Sequence, residues 1–281
     1  MNVKGFLNLR IRGAAMSLFH EDNHDYFDID RLEEAARDTI SSSSLICRCR
    51  DGDRAAAIAL SRGFWPFTRD FEKAIDHRAN SANLPRAPLY AKFGRNKSRE
   101  TLAGSARTIR TLRDSEIAGV FEEARAGLLD MQKDEFRHSK HWEADARNLG
   151  LSYEMLQAEQ TLPLVQRLID ATTTDDLVVF FAGALASTEF IAEALGEMLA
   201  TAPGYTRLFD RRRAIWMEVH TVPHDGEPSH EDIVMDFARA YDDSGSPQRI
   251  ENLVIQGLAL FGAAGDEVEA YYDKRMSVAA A

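Results

Sequence analysis

Between Leu177 and Ala192 every residue is apolar, or small and uncharged, except Glu189. The run continues to about Ala202 and reads as one helix. A helix apolar on nearly every side has no face to give to water, so it must be a central element with other helices packed round it. Glu189 then stands where an isolated carboxylate is costly; it has to be paired, protonated or bound to a metal ion. Glu193, one turn on, lies where the sequence becomes more polar and competes for the same role.

A second helix shows the same conflict. Over about Ser115 to Leu149, at about 100° per residue, Val120, Leu128, Met131, Glu135, His138, Trp142, Ala146 and Leu149 fall on one stripe. Glu135 and His138 occupy core positions there, with side chains pointing the same way. A satisfied Glu–His hydrogen bond in the core is the plain reading. His141 falls about 60° further round, towards the polar side.

The third informative stretch is HTVPHDGEPSHED, His220 to Asp232. A helix from Arg211 to Thr221 should end before Pro223, and Ser229 with Asp232 has the form of a capping box for a helix from Glu231 to about Tyr241. Pro223, Gly226 and Pro228 forbid a continuous helix between them. His220, His224, Asp225 and His230 are therefore expected at a helix end and on a loop, where solvated histidines are commonplace. Three separate helices thus bring metal-competent groups. Carboxylates with imidazoles and no thiolates suit iron or manganese better than structural zinc, and Glu-x-x-His facing a lone Glu follows the logic of di-iron carboxylate bundles.

The rest of the chain supplies scaffold. Asp30 with Glu33 suggests the start of a helix to Ser42, after which the serine run should loosen the chain. Further helices are expected over Arg54–Gly63, from Phe67 past Ile75, Tyr153–Ala158, Thr161–Ala171 and Pro247–Lys274, with Gly150 ending the central helix. Residues 80–97 are locally basic and read as a loop, or as a lid that pairs with an anionic substrate group. Residues 1–29, with His20 and His24, read as an arm that packs on the body or on the second subunit of a homodimer; residues 30–281 form a single helical domain. At 281 residues and 44% hydrophobic content one sizeable core is available. The net charge of -11 disfavours nucleic acid and anionic membranes as partners. Cys47 and Cys49 are too few for a four-sulfur zinc site and fit a reducing cytosol. With no signal peptide and no apolar run of about 18 residues, the expectation is a cytoplasmic protein.

The order of these helices, Glu135-x-x-His138, the later Glu189 in ALASTEFIAEAL, His220 beyond it, and the turn NLGLS at 148–152 resemble the haem-oxygenase-like di-iron oxidases and oxygenases. The similarity runs from roughly Arg54 to Lys274. It implies an all-α, seven-helix haem-oxygenase-like bundle, shared with thiaminase-like proteins and the pyrroloquinoline quinone synthase group. It also implies two Fe(II) ions per chain, O2 as co-substrate, and N-oxygenation, desaturation or oxidative carbon–carbon cleavage of a small amino- or carboxylate-bearing metabolite. The ligands it maps are Glu135, His138 and Glu189. That family usually carries H-x-x-x-D-x-x-H on the third helix; here His224 stands where Asp is expected, Asp225 follows, and His230 comes only after Gly226 and Pro228. Haem is not implied. The alternatives are a metal-free enzyme of the same fold using Glu189 and His138 as acid–base groups, and a non-catalytic small-molecule-binding helical protein.

Overall fold

A computed structural model of the protein describes residues 26–80, 114–209, 213–221, 229–242 and 244–279. Every regular element among them is a helix: α1 (Ile29–Ser42), α2 (Ser44–Asp51), α3 (Arg54–Gly63), α4 (Trp65–Asn80), α5 (Asp114–Asn148), α6 (Tyr153–Gln157), α7 (Pro163–Ala171), α8 (Val179–Leu199), α9 (Pro203–Thr206) with a 3-10 turn after it (Arg207–Phe209), α10 (Ile215–Val219), α11 (His230–Tyr241) and α12 (Pro247–Ala279). The expected arm up to residue 25, with His20 and His24, lies outside the described residues, as does the basic stretch beyond Asn80. Phe27, expected in the arm, is buried in the body.

The apolar helix α8 is central, packed against α1, α7, α10, α11 and α12. Among the described residues it is the one helix long and apolar enough to cross a membrane, yet 78% of its most apolar window is buried inside protein. One hydrophobic cluster runs from Phe27 to Tyr272 around it. α4 and α5 pack along each other, and α5 also meets α10 and α11.

Several local signals act differently from the sequence reading. Asp28, not Asp30, caps α1 by accepting from the Arg31 N–H at 3.2 Å. The serine run starts a helix instead of loosening the chain, because the Ser43 hydroxyl accepts from the Ile46 N–H and opens α2. Gly150 ends α5 as expected, at φ 84°, with the Leu151 N–H returning to the Ala146 carbonyl. Of the helix expected over Arg211–Thr221, only Ile215–Val219 is helical in the described residues.

The largest departure lies within α8, which is π-helical over Val179–Ala186 before it becomes α-helical over Ser187–Leu199. Where i→i+5 bonding gives way to i→i+4, one carbonyl is left over. Two hydroxyls stand at that junction: Ser187 donates to the Gly183 carbonyl at 2.8 Å and Thr188 to that of Ala184 at 2.7 Å. α12 crosses at the same place, where Gly257 lies so close that a Cβ would overlap the Gly183 carbonyl oxygen and the Ser187 side chain.

Replacing a helical glycine by alanine ordinarily stabilises by about 1 kcal/mol. Gly257→Ala should instead destabilise by about 1–3 kcal/mol through overpacking, whereas Gly265→Ala, whose methyl would meet only Ser43 Oγ at 3.6 Å, should be neutral or stabilising. Chemical denaturation of the two variants gives opposite signs if the α8–α12 approach is as described.

Candidate metal centre

From Leu128 onward the stripe counted on α5 is buried as phased: Leu128, Met131, Trp142 and Ala146 face the core, and Glu135 with His138 lies between them; the side chain of Val120 lies outside the described residues. α8 brings Glu189 from the opposite side, 6% exposed. His220 closes the single turn of α10, and His230 is the first residue of α11. The last placement corrects the expectation of a loop ligand: the Ser229 hydroxyl caps α11 by accepting from the Asp232 N–H, so the helix starts one residue early and fixes His230. His224 and Asp225 lie outside the described residues.

Five of the side chains singled out in the sequence therefore converge. His138 Nδ1 lies 2.9 Å from Glu135 Oε1. His230 Nδ1 is 3.5 Å from Glu189 Oε2 and 3.8 Å from Glu135 Oε1. The His220 ring centroid is 4.4 Å from that of His138 and 4.0 Å from that of Trp216. His220 Nδ1 lies 2.7 Å from the Trp216 carbonyl. A carbonyl only accepts, so Nδ1 carries the hydrogen and Nε2 keeps its lone pair.

Donor atoms of Glu135, Glu189 and His230 lie within 4.8 Å of one another. Separations of 3.5 and 3.8 Å between the imidazole nitrogen and the two carboxylates match ligands held about 2.0–2.2 Å from a shared ion. Glu189 Oε1 is buried and has no hydrogen-bond partner among the described residues. A buried carboxylate oxygen with nothing to serve it is the clearest sign that a cation fits here.

The pair left open in the sequence is separated by surroundings. Glu193 faces Glu231, Glu33, Glu197 and Arg37, and burial with those carboxylates pushes its pKa up to about 7; it is not in the converging group. His141 lies apart from that group, with its pKa lowered first by partial burial and then by His138 and Arg137.

The electrostatics divide the group. Burial pushes the Glu135 carboxyl up, but the charge and hydrogen bond of His138, helped by His230, hold it below its ordinary value. Glu189 is raised by burial and by Glu135. Burial opposes the charged form of His138, yet Glu135 raises it. His230 is likewise desolvated and still pushed up to about 9 by Glu189, Glu135 and Asp134. His220 goes the other way, down to about 4, through burial and the neighbouring His138.

Asp145, on α5, is a supporting residue that the sequence reading did not find. Its carboxylate accepts from the N–H groups of Ile215 at 3.1 Å and Trp216 at 2.9 Å, so it caps α10 and sets the direction of His220. Burial pushes its pKa up to about 6 against those two donors. Its partners are backbone groups of a distant segment, which leave no mark in a pattern of side chains.

No family model matches the chain, and no curated protein matches it. Among solved structures, the crystal structure of a TenA homolog from Pseudomonas syringae pv. tomato is similar, with a TM-score of 0.56 and 13% identity over 86% of this chain and 92% of that one. The chain has the haem-oxygenase-like helical fold. At that identity the likeness carries the architecture alone.

Two outcomes are expected. Asp145→Ala strands two buried N–H groups and should cost about 1–2 kcal/mol, with the His220 ring resonances shifting while those of His141 stay in place by NMR. In metal-free protein, the raised pKa of His230 means its ion pairs stabilise fully below about pH 6.5, with that stability lost as pH rises through about 9. Thermal unfolding between pH 7 and 10 should show this decline in the wild type and a flatter profile in His230→Gln.

Proposed function

We propose that this chain is an O2-dependent non-haem iron enzyme that binds two Fe(II) ions and oxidises a small amino- or carboxylate-bearing metabolite. The unserved Oε1 of Glu189, within a buried set of two carboxylates and three imidazoles, carries the reading. Glu135, Glu189 and His230 would hold one ion. His138 and His220 would be the imidazoles available to a second. When bound, iron supplies the electrons for O2 reduction that none of these side chains can give.

The protein's own groups prepare the site. His220 is a free base at neutral pH, and its Nε2 lone pair needs no proton displaced. His230 holds its proton until about pH 9, so loading the site at neutral pH releases it. Phe67, Phe71 and Trp216 wall the adjoining space and limit water.

The likeness to a TenA homolog keeps a second reading in play, metal-free acid–base catalysis by Glu189 and His138. Glu189 has the raised pKa of a proton donor, but no cysteine lines the cavity beside the centre among the described residues to serve as a nucleophile.

Anaerobic Fe(II) titration separates the two. Wild type should bind two irons per chain and consume O2 on exposure to air; His138→Ala should lose about one iron and His141→Ala none, because only His138 faces the converging carboxylates. Iron content unaffected by both Glu135→Ala and Glu189→Ala would sink the proposal.

A further inference from the structure

Two cavities adjoin beside the centre. The smaller, about 30 Å³, is bounded by Glu135, Glu189 and His220. The larger, about 80 Å³, reaches to Ile46, Leu60, Leu195 and Phe261, and Phe67, Ala192 and Trp216 border both. Protein interiors close voids larger than a water molecule, because the atoms facing a void lose their packing partners. A void of this size among buried side chains therefore lowers stability in proportion to its volume until a guest fills it.

The wall of the larger cavity decides what that guest is. Among the described residues no charged side chain lines it. Its donors are engaged elsewhere: Thr68 donates to the Phe64 carbonyl at 3.1 Å, Thr188 to that of Ala184 at 2.7 Å and the Trp142 indole to that of Ser61 at 3.0 Å. Ser43 Oγ accepts from the Ile46 N–H. The Trp216 indole nitrogen is buried with next to no accessible surface, so it offers the cavity no donor. A chamber walled in this way stays dry and holds an apolar guest by shape alone. Two small residues leave the room. Ala192 lies three residues beyond Glu189 on α8, where a longer side chain would fill space that both cavities share, and Gly265 on α12 faces only Ser43 Oγ, 3.6 Å from where its Cβ would stand.

We propose that the larger cavity seats an uncharged aliphatic end of the substrate, about three to four carbons long, and that Ala192 is the residue that admits it. The length scales from a cavity of about 150 Å³, which holds the six carbons of benzene. The functional group of the substrate is then left at the smaller cavity, beside Glu135, Glu189 and His220. That the carbon held there is the one oxidised rests on the iron reading above; the occupancy of the larger cavity does not.

The test uses metal-free protein and neutral guests, since without a cation the smaller cavity presents two carboxylates. Linear alcohols from methanol to octanol are titrated, and binding is followed by calorimetry and by the fluorescence of Trp142 and Trp216, both of which line the larger cavity. Affinity should rise about fourfold per methylene up to about four carbons, then stop rising. Ala192→Leu should melt about 2–4 °C above wild type, because its side chain takes the place of the guest, and should lose the dependence on length. Gly265→Ala should shorten the limit by about one carbon and Leu195→Ala should extend it by about two, so that any one of the three variants decides if the others fail to fold. Xenon uptake with a flat alcohol series, as expected of a chamber that admits only gas, overturns the inference. An unchanged length limit in the folded variants does the same. Normal iron loading with a flat series defeats this inference alone; a rising series without iron binding defeats only the iron reading.

Discussion

Two carboxylates, Glu135 and Glu189, are buried within reach of one imidazole nitrogen of His230. Burying a single carboxylate already costs several kcal/mol, and a second beside it adds repulsion, which raises Glu189 further. Protons on His138 and His230 balance the pair in the absence of a cation, and this is why both histidines are held above their ordinary pKa. The packing of α5, α8 and α11 depends on that compensation, since none of these helices can turn its inner face elsewhere without exposing the apolar stripe around the charge.

Three backbone devices hold the charges in register. The π-helical turns of α8 rephase the helix just before Glu189, with Ser187 and Thr188 serving carbonyls at the junction. Gly257 lets α12 lie directly on that junction. Asp145 fixes α10, a single turn that could not persist alone. Each acts on backbone groups, yet each decides where a functional side chain points. Wide helical turns often accompany functional sites; here the wide segment ends three residues before the carboxylate.

The parts legible in the sequence were those with a period. Glu135 and His138 could be phased because the apolar residues from Val120 to Leu149 define the stripe, and Glu189 stood out because nothing else within its run was charged. The choice between Glu189 and Glu193 was not legible, since one turn separates them and the deciding residues, Glu33, Glu197 and Glu231, come from α1, α8 and α11. His230 was half legible: Ser229 announced a cap, but the helix begins at His230 itself, which moves the imidazole from a loop to a packed helix start. The π-helical turns were invisible, because an apolar run has no residue whose displacement would show a change of pitch. The fold followed from the resemblance together with the all-round apolar helix; its likeness to a TenA homolog, at 13% identity, is one of architecture.

His220 and His230 share one pocket and shift in opposite directions, and the difference lies in what each Nδ1 faces. That of His230 looks at two carboxylates, so its charged form gains from both and the ring stays protonated to about pH 9. That of His220 looks at a neutral carbonyl, while its other neighbours are an indole and the imidazole of His138. Desolvation then meets no opposing charge of comparable size, and the ring stays neutral down to about pH 4. The carbonyl also fixes the tautomer, leaving Nε2 as the available atom. One histidine is thus a proton carrier that must be discharged before it can bind a cation, and the other is a ligand already in its binding form. Asp145 decides the second case by holding the Trp216 carbonyl where His220 meets it, so a residue outside the charged group sets the chemistry of one inside it.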